Sequence, residues 1–93
     1  IMPYVIVKSN VKDFELWKKT FSEDKKGRKE AGAKNLQVFT DMDNKNEIYV
    51  FSELESLEKF HSYMENPELQ AKMQESGATG PPEIFLLNHE FDE

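Results

Sequence analysis

Two histidines are the residues of this sequence best suited to proton transfer near neutral pH, because an imidazole has an ordinary pKa of about 6.5. His61 lies in a segment with helical spacing, about 40° around the helix from Leu57. We therefore predict that His61 faces inward as a catalytic general base or hydrogen-bonds a carbonyl or phenol of a ligand. The alternative is a partly exposed ring that only packs. His89 alternates with large apolar residues of the last predicted strand, where it serves either a pocket or a dimer interface.

Three further side chains could contribute to a binding site. Trp17 shares a helical face with Phe14 and Phe21, which indicates either core packing or an aromatic wall with one N–H donor. Asn10 precedes the first helix and acts either as its N-cap or as an amide that contacts a ligand. Tyr63 offers a hydroxyl, although it is not part of a recognisable catalytic spacing.

An apolar pocket is the kind of site that the composition favours. Phe39, Phe51 and Phe60, together with Trp17, are predicted to line it, and Tyr63, His89 and Asn10 are the polar candidates. The sequence has no cysteine and no His-x₃-His or His-Glu clustering, so we predict no metal site. The Gly-containing loop at residues 77–82 follows a helix rather than preceding one, so it predicts no phosphate site. We also predict no bound cofactor.

The charge balance excludes several partners. Lys and Arg number 12 against 18 Asp and Glu, for a net charge of −6. Nucleic acids and anionic membranes both require a basic surface, so we predict neither as a partner.

No apolar run approaches the roughly 20 residues of a membrane span. The absence of cysteine fits a reducing compartment, and we expect a cytoplasmic location and a single domain over residues 2–93.

The chemistry-bearing residues are positioned by a predicted order of β-α-β-β-α-β. We predict strands at residues 2–8, 34–42, 47–54 and 83–91. Asn10 is predicted to cap a first helix that ends at Gly32 in a left-handed conformation. Four basic residues in its last turns predict a solvated face rather than an anion site: Lys25, Lys26, Arg28 and Lys29.

The second helix is predicted to be broken. Ser52 and Glu55 have capping-box spacing and are predicted to open it. Asn66 then caps a new segment with Pro67 at its first position, and Gly77 ends that segment. This order matches the ferredoxin-like α+β fold, in which helices cover one face of an antiparallel sheet.

The strands are apolar on both faces, whereas a sheet covered on one side should alternate apolar and polar residues. Three runs are apolar at every position: residues 4–7, 48–51 and 84–87. Burying each large side chain stabilises by about 1.5–3 kcal/mol, so an uncovered apolar face is unfavourable. We therefore predict a symmetric homodimer in which two sheets pack face to face.

Over residues 4–91 the sequence resembles the dimeric α+β barrel superfamily, which includes the antibiotic-biosynthesis monooxygenase-like domains. The resemblance is carried by the following segments: Trp17, Glu30-Ala31-Gly32, Leu57 to Phe60, Asn66-Pro67-Glu68-Leu69, Lys72-Met73, Gly77 and Gly80-Pro81-Pro82-Glu83. It is most similar to a largely uncharacterised branch labelled cyclase-like or monooxygenase-like. The resemblance implies a βαββαβ fold that closes a barrel with a second copy, and a hydrophobic cleft between sheet and helices.

The resemblance carries over only in part to individual residues. Haem-degrading members use an Asn on the first strand, a Trp on the second helix and a His near the following helix. Phe60 stands at the Trp position here, and residues 67–76 contain no histidine, so haem degradation is not expected. Many monooxygenase-like members carry a His where this sequence has Phe60, with His61 displaced by one.

Two functions remain open at this point. One is a cofactor-independent monooxygenase-like or cyclase-like enzyme with His61 as proton acceptor. The other is a non-catalytic dimeric module that binds a hydrophobic ligand or has a structural role. Fold analogy does not choose between them.

Overall fold

The computed structural model describes residues 2–93 and has the predicted α+β, ferredoxin-like order of elements, with both helical regions divided in two. The four strands are β1 (Tyr4–Asn10), β2 (Ala33–Thr40), β3 (Glu47–Leu54) and β4 (Glu83–Leu87). The helices are α1 (Phe14–Glu23), α2 (Lys25–Glu30), α3 (Leu57–Glu65) and α4 (Pro67–Glu75). All strand pairs are antiparallel, in the order β2-β3-β1-β4, which confirms the predicted fold class.

Two predicted helix caps are wrong by a few residues. The N-cap of α1 is Asp13, whose carboxylate accepts from the backbone N–H of Leu16 at 3.3 Å, because β1 continues through Asn10. The N-cap of α3 is Ser56, which accepts from the N–H of Lys59 at 3.2 Å. Ser52 is instead a buried residue of β3, since the strand extends to Leu54 before the chain turns.

The break between α3 and α4 forms as predicted. The Asn66 side chain accepts from the N–H of Glu68 at 2.9 Å, and Pro67 occupies the first turn, where its missing N–H costs nothing. Gly32 and Gly77 both have φ of +87°, a conformation that L side chains rarely adopt. The two glycines therefore end α2 and α4 as the left-handed residues that the sequence predicts.

The break between α1 and α2 was not predicted. It falls at Asp24, whose φ of −105° and ψ of 27° lie outside the helical region. The backbone N–H of Asp24 bonds to the carbonyl of Phe21 at 3.2 Å, which ends α1 in a tight turn. The division matters for the site because it turns the Asp24 carboxylate towards α3 and α4.

The helices cover one face of the sheet, and the core forms between them. Because directly paired residues of neighbouring strands point to the same face, the pairs Val5–Ser52 and Val7–Val50 define the helix-covered face. Val5 and Leu54 pack there against Phe60 of α3, and all three are buried. A second buried cluster joins Trp17 of α1 with Val11, which precedes that helix, and Ile48 of β3.

The other face, here called the open face, has no layer over it within residues 2–93. Ile6 is paired with Phe51 on one side and Phe85 on the other, which places all three on this face. The register adds four more members to the open face: Tyr4, Phe39, Tyr49 and Leu87. The predicted two-sided apolar character of the strands is therefore real. No helix of residues 2–93 is long and apolar enough to cross a membrane.

Candidate functional site

A cavity of about 120 Å³ lies between the helices and the covered face of the sheet. Its floor is made by strand residues, which include Val5, Val7, Val50 and Leu54. Aromatic and aliphatic side chains of three helices form its walls: Trp17, Phe21, Phe60, Met64, Leu69 and Met73. The site therefore has the concave, mostly apolar lining that is typical of small-molecule pockets.

The volume of the cavity limits the ligand to about one ring. An apolar cavity of about 150 Å³ in another protein holds benzene, whereas sites for drug-sized ligands measure about 300–1,000 Å³. At about 120 Å³ the present cavity is close to the first size. A multi-ring aromatic would require the helices to move away from the sheet.

Trp17 is the aromatic anchor of the wall. It is buried, its ring stacks on Phe21 with centroids 4.6 Å apart, and Phe14 lies 5.8 Å away in a tilted arrangement. It is also the single tryptophan of the sequence. Its fluorescence is thus a direct reporter of what enters the cavity.

Four polar side chains meet at one end of the cavity, one from the break between α1 and α2 and three from helices α2, α3 and α4. We call this group the mouth cluster: Asp24, Arg28, Tyr63 and Lys72. The Tyr63 hydroxyl donates to one carboxylate oxygen of Asp24 at 2.7 Å, and the Lys72 ammonium donates to the other at 3.0 Å. Arg28 donates to the carbonyl of Phe21 at 2.6 Å and lies 3.5 Å from the centre of that residue's ring. Three of the four, all except Arg28, also line a surface depression outside the helices, so the cluster lies between the cavity and that depression.

The pKa values in the mouth cluster follow from this arrangement. Burial, then the hydrogen bond to Asp24 and its negative charge, raise the pKa of Tyr63 well above its ordinary 10.0. Burial alone would raise the pKa of Asp24, but hydrogen bonds from Tyr63 and Lys72 and the nearby cations outweigh it and lower that pKa. Burial lowers the pKa of Arg28, and Tyr63 and Asp24 offset this only in part. Tyr63 is thus held as a neutral donor and Asp24 as a carboxylate.

The structure brings together three of the predicted site residues. Trp17, Phe60 and Tyr63 all line the cavity. His61, the predicted general base, follows Phe60 on α3 but is exposed and does not line the cavity. Its ring centre lies 6.1 Å from that of Phe60. A catalytic role for His61 stays a prediction, and it would require chemistry on the outer surface of α3 or a movement of that helix.

The other four predicted pocket residues lie away from this cavity. Phe39 and Phe51 are on the open face, where Phe51 stacks on Tyr4 with ring centres 5.5 Å apart. His89 follows β4, and its Nε2 lies 2.9 Å from a carboxylate oxygen of Asp92. Asn10 is an exposed residue at the end of β1, and its carbonyl accepts from the N–H of Thr79 at 2.9 Å. Within residues 2–93, these four contribute to a surface rather than to the cavity.

Arg28, Asp24 and Lys72 are the site residues that sequence reasoning missed. The basic run that includes Arg28 was interpreted as a solvated face, and this is wrong for Arg28, which is half-buried against Phe21. Asp24 is 39 positions from Tyr63 and 48 from Lys72, so no local spacing relates them. One local signal was present: Gly27 leaves room for the Asp24 carboxylate, which lies where a β-carbon would be.

Comparisons with solved structures identify the fold independently. A structure from Bordetella bronchiseptica named "Putative antibiotic biosynthesis monooxygenase" has a TM-score of 0.80 and 9% identity, covering 97% of this chain and 98% of its own. One of the same name from Caulobacter crescentus has a TM-score of 0.75 and 17% identity, covering 97% and 91%. SnoaB, a cofactor-independent oxygenase from Streptomyces nogalater, has a TM-score of 0.74 and 10% identity, covering 98% and 95%.

The chain therefore shares its fold, over nearly its whole length, with structures of the antibiotic biosynthesis monooxygenase kind, as the sequence resemblance implied. At these identities the likeness concerns the fold and not the reaction. No family model and no curated protein matches the sequence. Within residues 2–93, no group of three or more His, Asp or Glu side chains is arranged to hold a metal ion.

Proposed function

We propose that this protein is a homodimer that binds a hydrophobic, single-ring small molecule in the cavity between its helices and its sheet. The observation that carries the proposal is the cavity itself, because Trp17 and Phe60 wall an apolar space of about 120 Å³. Filling a cavity of this size with an apolar ring stabilises the protein, because the side chains that line the cavity then make dispersion contacts with the ring. Binding, rather than a particular reaction, is the function that the geometry supports best.

The binding experiment uses the fluorescence of Trp17. We expect toluene to change the emission saturably in the native protein. Val50→Phe should abolish that change, because Val50 lines the cavity and a larger side chain fills it. Val38→Phe is the matched control, since Val38 is the direct cross-strand partner of Val50 but is 40% exposed and does not line the cavity. Equal responses of the two variants, or no response of the native protein, would refute the proposal.

The homodimer follows from the open face. Phe39 is 51% exposed, Phe85 44% and Leu87 42%, and they lie side by side with Ile6 and Phe51. A contiguous apolar surface of this kind on a small protein is unfavourable in water unless a partner covers it. A second copy is the economical partner, because a two-fold axis brings the same apolar residues together from both sides. The two sheets would then close the barrel that the sequence resemblance implies.

A cofactor-independent monooxygenase-like or cyclase-like activity is the second candidate function. The likeness to SnoaB, a cofactor-independent oxygenase, favours it. Against it, the cavity offers no ready base: Tyr63 has a raised pKa, Asp24 a lowered one, and His61 lies outside. If the protein is such an enzyme, His61→Ala should abolish consumption of oxygen with a phenolic substrate and leave the melting temperature unchanged. Unchanged turnover in that variant would remove His61 from the mechanism.

Localisation in the cytoplasm stays a prediction that rests on the absence of cysteine.

A further inference from the structure

Arg28 is a half-buried cation without a carboxylate of its own. None of the ion pairs among residues 2–93 involves it. Its guanidinium donates to the carbonyl of Phe21 and also interacts with the Tyr63 hydroxyl. The nearest counter-charge, Asp24, already accepts from Tyr63 and Lys72. A guanidinium presents five N–H donors in a planar fork. Among residues 2–93 no buried side-chain nitrogen lacks a partner, so the remaining donors of Arg28 are accessible and can contact a ligand.

The charges that line the cavity sum to a positive value. Asp24 contributes one negative charge, and Arg28 and Lys72 contribute two positive charges, while Tyr63 is neutral. The surface depression outside also carries one exposed cation, Lys26, and three exposed carboxylates: Glu23, Glu30 and Glu68. Exposed charges are screened by water and salt, so the half-buried Arg28 acts on a bound molecule more strongly than they do, and Lys72, whose side chain is 46% exposed, adds a smaller contribution.

The position of these cations relative to the apolar walls indicates which chemical class of ligand the cavity would bind. The same cavity is walled by Trp17 and Phe60 and ends at Arg28 and Lys72. A molecule that fills it must therefore be apolar at one end and carry a hydrogen-bond acceptor, preferably an anion, at the other. A carboxylate matches the fork of a guanidinium with two parallel hydrogen bonds, and the lysine ammonium adds a third donor.

We propose that the cavity binds a single-ring organic acid, with the ring between Trp17 and Phe60 and the carboxylate at Arg28 and Lys72. This inference rests on the proposed function, because it names the chemical class of the molecule that enters the same cavity. Asp24 then has a positioning role: it holds the Lys72 ammonium and the Tyr63 hydroxyl at the mouth, 3.0 and 2.7 Å from its carboxylate oxygens. Although the protein has a net charge of −6, this site would then bind an anion in preference to a neutral molecule.

The test compares three probes by Trp17 fluorescence: phenylacetate, phenylacetamide and toluene. Phenylacetate and its amide have the same ring and nearly the same shape, and only the first is charged. We expect phenylacetate to bind at least about tenfold more tightly than the amide, which corresponds to about 1.4 kcal/mol. In Arg28→Gln, phenylacetate and phenylacetamide should bind about equally. Toluene should still bind, which would show that the cavity is intact.

Lys29→Gln is the matched control, because Lys29 is the next residue of α2, is exposed and does not line the cavity. It removes the same charge and should keep the full preference for the acid. If Arg28→Gln does not fold, Lys72→Met serves instead, since the Lys72 side chain is 46% exposed and can be replaced with little loss of packing. It should reduce the preference in the same direction.

The outcomes separate this inference from the proposed function. If toluene binds but the acid and the amide bind equally to the native protein, the carboxylate site is refuted and the apolar cavity stands. A preference for the acid that survives in both Arg28→Gln and Lys72→Met would also refute it, because the charge would then be recognised elsewhere. If none of the three probes binds, the proposed function fails, and this inference with it.

Discussion

The homodimer is the proposal that a single substitution tests most directly, and Leu87→Glu is that substitution. Leu87 belongs to β4 and to the open face, where it is paired with Tyr4 and is 42% exposed. In a dimer formed by two open faces its side chain would be buried. The substitution places a carboxylate in that interface, once from each copy.

The magnitude follows from the exposed fraction. Full burial of a leucine side chain stabilises by about 1.5–3 kcal/mol, so burying the exposed 42% of Leu87 contributes about 0.6–1.3 kcal/mol per copy. Two copies lose about 1.3–2.5 kcal/mol, and an unpaired buried charge costs about 3 kcal/mol or more. We expect the dimer to be weakened by at least about 4 kcal/mol, which is about a thousandfold in the dissociation constant.

Sedimentation velocity at micromolar concentration measures the effect. The native protein should sediment as a dimer and Leu87→Glu as a monomer. Leu57→Glu is the matched control, because Leu57 is the same residue type with the same 42% exposure but lies at the start of α3, on the helical side of the sheet. It should remain dimeric. A native monomer, or dissociation caused by Leu57→Glu and not by Leu87→Glu, would refute the assignment of the interface to the open face.

Three further predictions concern stability, each measured by urea unfolding. Gly27→Ala should destabilise the protein by about 1 kcal/mol, because the added β-carbon displaces the Asp24 carboxylate. An alanine within a helix usually stabilises instead, by about 0.5–1 kcal/mol relative to glycine. Gly80→Ala is the control and should be near neutral, because a β-carbon added at Gly80 would have no neighbour within 4 Å. Because the folded-state pKa of Asp24 is below its ordinary 3.8, its carboxylate stabilises the protein above that pH, and this contribution is lost as the pH falls through the folded value. Asp24→Asn should therefore be less stable than the native protein at pH 7, and the difference should shrink as the pH falls below 3.8 and through the folded-state value. A constant difference would contradict the mouth cluster. Ser56→Ala should cost about 1 kcal/mol as a lost N-cap, whereas Ser22→Ala, within α1, should change little.

Local features of the fold were predictable because they depend on a few neighbouring residues. Asn66-Pro67 fixes the start of α4 through one side-chain hydrogen bond and one preset φ angle, both encoded in adjacent positions. Gly32 and Gly77 mark helix ends because glycine alone adopts φ of +87° without strain. The caps of α1 and α3 were misplaced because Asn10 and Ser52 belong to strands whose pairing extends beyond their apolar runs.

The candidate site was predictable only in part. Trp17 and Phe60 were identified because large apolar residues at helical spacing must face the sheet. Phe39 and Phe51 were assigned to the same pocket, but the register places them on the open face. The strand of Phe51 is apolar on both sides, so alternation could not decide which side faces the helices. Phe39 was misplaced because the side that β2 presents depends on its pairing with β3.

The sequence by itself determined the order of the elements, the break before Pro67, the left-handed helix ends and the need to cover two apolar faces of one sheet. These depend on backbone preferences and side-chain type, which act over a few residues. The tertiary structure alone decided that Asp24, Arg28, Tyr63 and Lys72 meet at one end of the cavity. Their meeting depends on a helix break and on how three helices pack, and long-range packing leaves no periodic trace in the sequence.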